Sequence, residues 1–361
     1  MAAATSLPHW EARNPVLFFG SCVSERRFGW GISGLLLACV LLSTTDGHAR
    51  RRRGAKEQST APMAEAPPRP VWVNPAADER LRTALNEVLQ RESLAGAEVG
   101  FLATSLDDSS VIAESGADLL INPASNAKLL TAAAALHFLK PEYRFRTEYF
   151  VRGTLRNGTL QGDLVVKGYG DPTIVTERLQ RVANELYLFG IERITGGIIL
   201  DESFFDDQSE AAGWDLEDAP DRAYAAGVGA LSFNYNAISA YVRPGEVGGP
   251  AVVKLDPPVE AAVLEGQVTT GRWRTGMHVF TRHDKETGKT LVQVGGNLGA
   301  RDSPRRWYRR MWDPGLYFGS ALVAFLQQRG VSVRHIVVRE RVPAGARLIF
   351  VDLSPSLSDI V

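Results

Sequence analysis

The sequence predicts an α/β fold interrupted by a long β-rich insertion, and three observations predict it. Leu81, Leu85, Val88 and Leu89 recur on one helical face, and two short strand-like runs follow them. A turn at Asn122-Pro123-Ala124-Ser125-Asn126-Ala127-Lys128 feeds the apolar run Leu129 to Leu136, which has the texture of a buried helix. From Tyr143 to about residue 310 the chain changes to short apolar stretches between glycines, before helical spacing returns at Tyr317.

Taken in order, residues 1–49 read as an N-terminal extension and signal segment. Arg26 and Arg27 form a charged start, Ile32 to Leu42 a short apolar core, and small and polar residues follow to Ala49. The core is short for a bilayer span, which favours a cleaved export signal; the alternative is a membrane anchor held by Arg50 to Arg53. The only cysteines are Cys22 and Cys39, so a chain cleaved near Ala49 has none and rests on its hydrophobic core alone. Leu36-Leu37-Ala38-Cys39 has a weak likeness to a lipoprotein processing site, but apolar residues continue past it. Residues 50–71 are rich in charge, Pro and Ala and read as a linker.

Residues 72–145 hold the first α/β part. Asn74-Pro75 provides a cap and a first helical position, and the helix ends near Gly96. Ala97–Ser105 and Val111–Glu114 form a hairpin around Asp107-Asp108-Ser109-Ser110, and the apolar helix follows. His137 on that helix reads as a core or boundary residue, since it lies about three turns from Ser125. Residues 146–310 form the inserted β-rich part, with strands at 146–151, 160–167, 194–200, 252–255, 279–281 and 291–294 and one helix at 176–188. Residues 311–361 supply a helix at 317–329, strands at 331–339 and 348–351, and a first helical turn at Asp359-Ile360-Val361. A domain rarely finishes one turn into an element, so truncation is expected here.

The chain has 361 residues, of which 45% are hydrophobic and 22% charged, with a net charge of −1. Such a balance gives no general attraction to nucleic acid or anionic lipid. The run Arg305-Arg306-Trp307-Tyr308-Arg309-Arg310 is short and isolated, and reads as a solvated strand or loop. Six scattered histidines and the absence of His-Glu-x-x-His argue against a metal site, and no cofactor is expected. No glycine-rich phosphate loop stands in its required context.

Ser125 and Lys128 are three apart, a spacing that puts a hydroxyl and an amine on one helical face. The helix dipole there favours a developing alkoxide. On those residues alone the alternative is an N-capped helix with a solvated lysine. In order along the chain stand further segments: Gly162-Asp163-Leu164-Val165-Val166-Lys167-Gly168-Tyr169-Gly170-Asp171-Pro172-Thr173, then Gly196 to Phe204, Ala230 to Asn236, and Leu353 to Val361. With the serine turn, these make the chain resemble the D-alanyl-D-alanine carboxypeptidase/endopeptidase family, the class C low-molecular-mass penicillin-binding proteins.

The resemblance implies a serine β-lactamase/transpeptidase-like α/β domain, an antiparallel sheet flanked by helices, here incomplete and carrying a β-rich insertion. It implies acyl transfer from D-Ala-D-Ala peptides of peptidoglycan, with Ser125 as nucleophile and Lys128 as the base that activates it. β-Lactams would acylate the same serine, and Asp201 would contact the substrate's diamino-acid side chain. Asp201 reads equally as a carboxylate capping a turn. An exported, periplasmic or cell-envelope location follows from the signal segment.

Two motifs depart from the family pattern. No Lys-Thr-Gly occurs; Lys285-Glu286-Thr287-Gly288 has one residue too many, which on a strand turns the lysine to the other face. Ser232-Phe233-Asn234 matches Ser-x-Asn, but in the family such a stretch belongs to the insertion and is structural. The chain therefore corresponds to roughly the first two-thirds of such an enzyme, and alone it is expected to be inactive or poorly folded. The alternatives are a catalytically dead peptidoglycan-binding envelope protein and a related β-lactamase or esterase.

Overall fold

The computed structural model describes residues 37–43, 72–73 and 79–361, except 106–107, 207, 211–219 and 275. The linker and the Asn74-Pro75 cap lie outside the described residues. The chain divides into two compact units, residues 1–127 and 128–361.

In the first unit β1 (Leu37–Ser43), β2 (Trp72–Val73), β3 (Glu98–Thr104) and β4 (Val111–Ser115) form a four-stranded sheet in the order β1-β3-β4-β2. Every pairing in it is antiparallel. β3 and β4 are the expected hairpin. β1 comes from the segment read as the export signal, and its backbone pairs with β3 from Leu37 opposite Thr104 to Ser43 opposite Glu98. Helix α1 (Glu79–Leu89) contributes Leu85 to a small core of Phe101, Ala103, Ala113 and Ile112.

Helix α2 (Ala127–Leu139) follows Ser125 as expected, but the expectation of burial is corrected. It has no buried residue, and Leu130 and Phe138 are 76% and 77% exposed. An all-round apolar sequence states what a helix can bury; burial itself needs a second layer to cover it. His137 is likewise exposed, not a core residue.

The second unit is built on a five-stranded mixed sheet. β5 (Arg146–Arg156) and β6 (Thr159–Gly168) make a long hairpin whose turn is Asn157-Gly158, both at positive φ, as the right-handed twist of a two-residue hairpin requires. Gly153 and Gly162 face each other across it at φ +121° and +146°, where a Cβ on either would meet the opposite backbone carbonyl at about 2 Å. β7 (Arg193–Asp201) runs parallel to β6 through α3 (Thr176–Leu188). α3 buries Leu179, Val182, Ala183 and Leu186, one stripe at i, i+3, i+4 and i+7, with each Leu or Val worth roughly 1.5–3 kcal/mol of burial.

Smaller sheets come next. β8 (Ala237–Arg243) pairs with β9 (Val252–Asp256) and, on its other side, with β14 (Arg305–Arg310). β10 (Ala262–Gly266), β11 (Thr269–Gly271) and β12 (Gly276–His283) all pair with β13 (Thr290–Gly299). The run at 305–310 is a strand, but only partly solvated: Arg309 and Arg310 are buried. Arg310 bonds Glu210 and the Pro220 carbonyl, and Arg309 donates to the Val279 carbonyl.

Helix α4 (Pro314–Gln328) is capped by Asp313, whose carboxylate accepts the Leu316 N–H at 3.0 Å. Its Tyr317 and Phe325 rings meet Phe233 in the core. β15 (Ser332–Val338) then joins β7 in parallel, and β16 (Arg347–Leu353) closes the sheet against β5. Residues 332–353 thus share one sheet with residues 146–201. The chain's last turn, α5 (Leu357–Ile360), has a capping box between Ser356 and Asp359.

A buried ionic cluster ties these parts together. Arg178 on α3 pairs with Asp171 at 2.8 Å and with Asp352 of β16 at 2.8 Å, and Arg181 adds a second cation to Asp352. Asp171 also accepts the Thr173 N–H and hydroxyl, which fixes the turn Gly170-Asp171-Pro172-Thr173.

Candidate active site

The serine turn is locally over-determined. Asn122 Oδ1 accepts the Ala124 N–H at 2.9 Å, and the Asn126 backbone and side-chain nitrogens both donate to the Pro123 carbonyl. These bonds hold Ala124 at φ 44°, a left-handed conformation that L-residues other than Asn and Asp rarely adopt. Ser125 follows in the short 3₁₀ turn Ala124–Asn126, which runs directly into α2, and Lys128 is the second residue of that helix. Both side chains are exposed.

Asp201 ends β7 and is 1% exposed. Its carboxylate accepts the N–H of Ser203 and of Val342, each at 2.9 Å, and pairs with Lys167 Nζ at 3.2 Å. Burial alone would raise its pKa, but the bonds from Ser203 and Val342 and the ammonium of Lys167 together hold it below the usual carboxylate range. The turn-capping contact with Ser203 is present, and so is a cation partner from the chain itself.

Beside Asp201 opens a cleft of about 720 Å³, lined from the second unit by Glu202, His283, Arg310, Trp312, Asp313 and Arg339 among others. Glu202 is pushed up by burial, against the opposing effect of Arg339 at 3.6 Å. Arg310 lies 4.0 Å over the Trp312 ring, and His283 stacks parallel to the same ring. Sequence reasoning missed this cluster, because its members come from four distant stretches and no local pattern marks them.

The two stretches that come nearest the missing family motifs lie in a turn and in the packed insertion. Lys285 to Gly288 forms the turn between β12 and β13, not an edge strand. Asn234 and Asn236 are structural: Asn234 accepts the Thr176 N–H at the start of α3, and Asn236 bonds the Gly227 carbonyl and the Phe233 N–H. Among the described residues no group of acidic, His or Cys side chains is arranged to hold a metal.

Residues 81–361 match the family profile of the D-Ala-D-Ala carboxypeptidase 3 (S13) family. The chain belongs to this family. Among curated relatives, a D-alanyl-D-alanine carboxypeptidase from an Actinomadura species is 31% identical over 293 residues, 78% of this chain and 53% of that protein. The D-alanyl-D-alanine carboxypeptidase DacB of Haemophilus influenzae is 27% identical, covering 74% of this chain and 55% of the relative. The crystal structure of penicillin binding protein 4 (dacB) from Haemophilus influenzae superposes with a TM-score of 0.61 at 23% identity, over 76% of this chain and 60% of that one. That likeness shows the shared fold, the penicillin-binding, transpeptidase-like architecture expected from the motifs. The chain spans about half the length of the curated relatives it matches.

Proposed function

We propose that this S13 chain is a serine-type D-Ala-D-Ala carboxypeptidase or endopeptidase acting on peptidoglycan peptides. The observation that carries the reading is Ser125 on a pinned turn entering α2, with Lys128 three residues on, in a chain of that family. Ser125 Oγ attacks the carbonyl carbon before the terminal D-Ala while Lys128 accepts its proton; the proton passes to the leaving amine, and the ester left on Ser125 is hydrolysed by water. A β-lactam reacts at the same oxygen; one of the Haemophilus influenzae structures is a complex with a β-lactam.

Asp201 contacts the substrate in this reading by exchanging Lys167 for a substrate ammonium. Asp201→Asn then raises KM for peptides with a free side-chain amine and leaves KM for acylated ones unchanged. The charged start and apolar core at 26–49 support export to the cell envelope.

The test is covalent labelling of the purified chain by a fluorescent penicillin. Labelling that disappears in Ser125→Ala supports the reading and overturns the expectation that the chain alone is inactive; a folded wild type that is not labelled removes the reading for this chain. The second reading is a peptidoglycan-binding protein without catalysis, favoured by Lys285 to Gly288 lying in a turn. In that case the wild type and Ser125→Ala bind peptidoglycan equally and neither is labelled.

A further inference from the structure

The run Arg305-Arg306-Trp307-Tyr308-Arg309-Arg310 is not absorbed by acyl chemistry, and the structure gives it a setting. In β14 side chains alternate, so Arg306 and Tyr308 share one face of the sheet β14-β8-β9. The register places Arg306 opposite Tyr241 and Tyr308 opposite Ser239. Across β8, Tyr241 lies opposite Lys254 and Ser239 opposite Asp256. One face therefore carries two cross-strand rows, Arg306–Tyr241–Lys254 and Tyr308–Ser239–Asp256. Behind it the same strands bury Ile238, Ala240 and Val242 in the core, so the platform is rigid.

Arg306 stands over the Tyr241 ring at 5.2 Å, donates to Ser239 Oγ at 3.0 Å and pairs with Asp256. It is a ridge between two clefts. One, of about 490 Å³, is lined by Tyr235, Tyr308, Glu177 and Asp256; the other, of about 650 Å³, by Tyr241, Lys254, Pro258 and Leu264.

The first cleft is edged by a strained turn. Asn234, Tyr235 and Asn236 have φ of 47°, 56° and 53°, three consecutive left-handed residues. Asparagine tolerates that conformation; tyrosine does not favour it. The two asparagine side chains are tied into the fold, whereas Tyr235 itself is 74% exposed. The turn thus holds an aromatic ring at the rim of the cleft that Tyr308, 57% exposed, also lines.

The charges on this face decide its ligand. Arg306 and Lys254 balance Asp256 and Glu177, so a polyanion gains no net attraction. What remains is a pair of exposed tyrosine rings beside a ridge of donors and acceptors in equal supply. That pattern suits a neutral polyhydroxylated chain, whose ring faces stack on tyrosine and whose hydroxyls both donate and accept. We propose that this face of the inserted strands binds a neutral glycan chain, with Tyr235 and Tyr308 as stacking platforms and Arg306 and Asp256 as the hydrogen-bonding ridge beside them.

The test uses the full chain and chitohexaose, a neutral β-linked amino-sugar hexamer, in a calorimetric titration, with heparin as the polyanionic comparison. Expected is saturable chitohexaose binding that does not weaken as salt rises from about 50 to 500 mM. Tyr235→Ala and Tyr308→Ala each weaken it roughly three- to tenfold, while Tyr308→Phe, which keeps the ring, stays near wild type. Far-ultraviolet dichroism confirms that each variant is folded, and Tyr308→Leu, which keeps an apolar side chain but not the ring, carries the comparison if an alanine variant is not. No saturable heat to about 10 mM ligand overturns the proposal; so does binding unchanged in the alanine variants, or salt-sensitive binding that heparin shares. Ser125→Ala leaves glycan binding intact, so failure here and failure of the acyl-enzyme reading are separate results.

Discussion

Replacing Arg178 with alanine removes the cation that two buried carboxylates share. Asp171 and Asp352 have side chains 0% and 2% exposed, and Arg178 reaches both at 2.8 Å. After the substitution Asp352 keeps Arg181, whereas Asp171 keeps only the Thr173 N–H and hydroxyl. Breaking a buried pair from one side costs about 3–5 kcal/mol, because the remaining charge stays desolvated. The surviving Arg181 contact places the expected loss near the lower end, about 3 kcal/mol. Urea unfolding of the wild type and variant, compared at equal slope, measures it. Asp171→Asn in the Arg178→Ala background removes the stranded charge, so the double mutant recovers part of the loss and the two changes are not additive. A loss below about 1 kcal/mol in Arg178→Ala, or additivity within about 0.5 kcal/mol, refutes the reasoning.

Tyr149 is fully buried, its hydroxyl has no hydrogen-bond partner, and burial raises its pKa well above the ordinary value. Tyr149→Phe is therefore expected to be neutral or to stabilise by about 1 kcal/mol in the same urea assay. Glu202 is more easily protonated folded than unfolded, so its ionisation lowers stability as pH rises from the usual glutamate range through the raised folded value. Glu202→Gln accordingly melts higher than wild type at pH 7, with the gap closing below about pH 4, read by thermal melts across pH. Asn234→Ala removes the acceptor of the Thr176 N–H and a side chain suited to positive φ, and is expected to lose about 1–2 kcal/mol.

Local signals in the sequence were read where one short stretch sets both periodicity and boundary. Helix α3 begins and ends at the residues its apolar spacing predicts, 176–188, whereas β5 runs past the expected 146–151 to the Asn157-Gly158 turn, a signal left unread. The serine turn and the family were legible for a different reason: ordered motifs spread along the chain share one family even when each alone is weak. Strand β8 was missed although Ile238, Ala240 and Val242 alternate as a buried strand face does; the run is short, and its partners lie about 15 and 70 residues away. Arg309 and Arg310 looked solvated because their acceptors, Val279 and Pro220 carbonyls with Asp221 and Glu210, lie far off in sequence. The exposure of α2 was illegible in principle: composition gives a helix's capacity for burial and says nothing of whether a covering layer is present.

Strand β1 gives part of the N-terminal segment a place in a sheet. The residues that read as the apolar core of an export signal also saturate one edge of β3 along seven residues. Removal of that segment after Ala49 would be a conformational event as well as a trimming step. A chain that keeps the segment would hold this edge of β3 paired, and a chain cut after Ala49 would present the edge's backbone donors and acceptors to another strand.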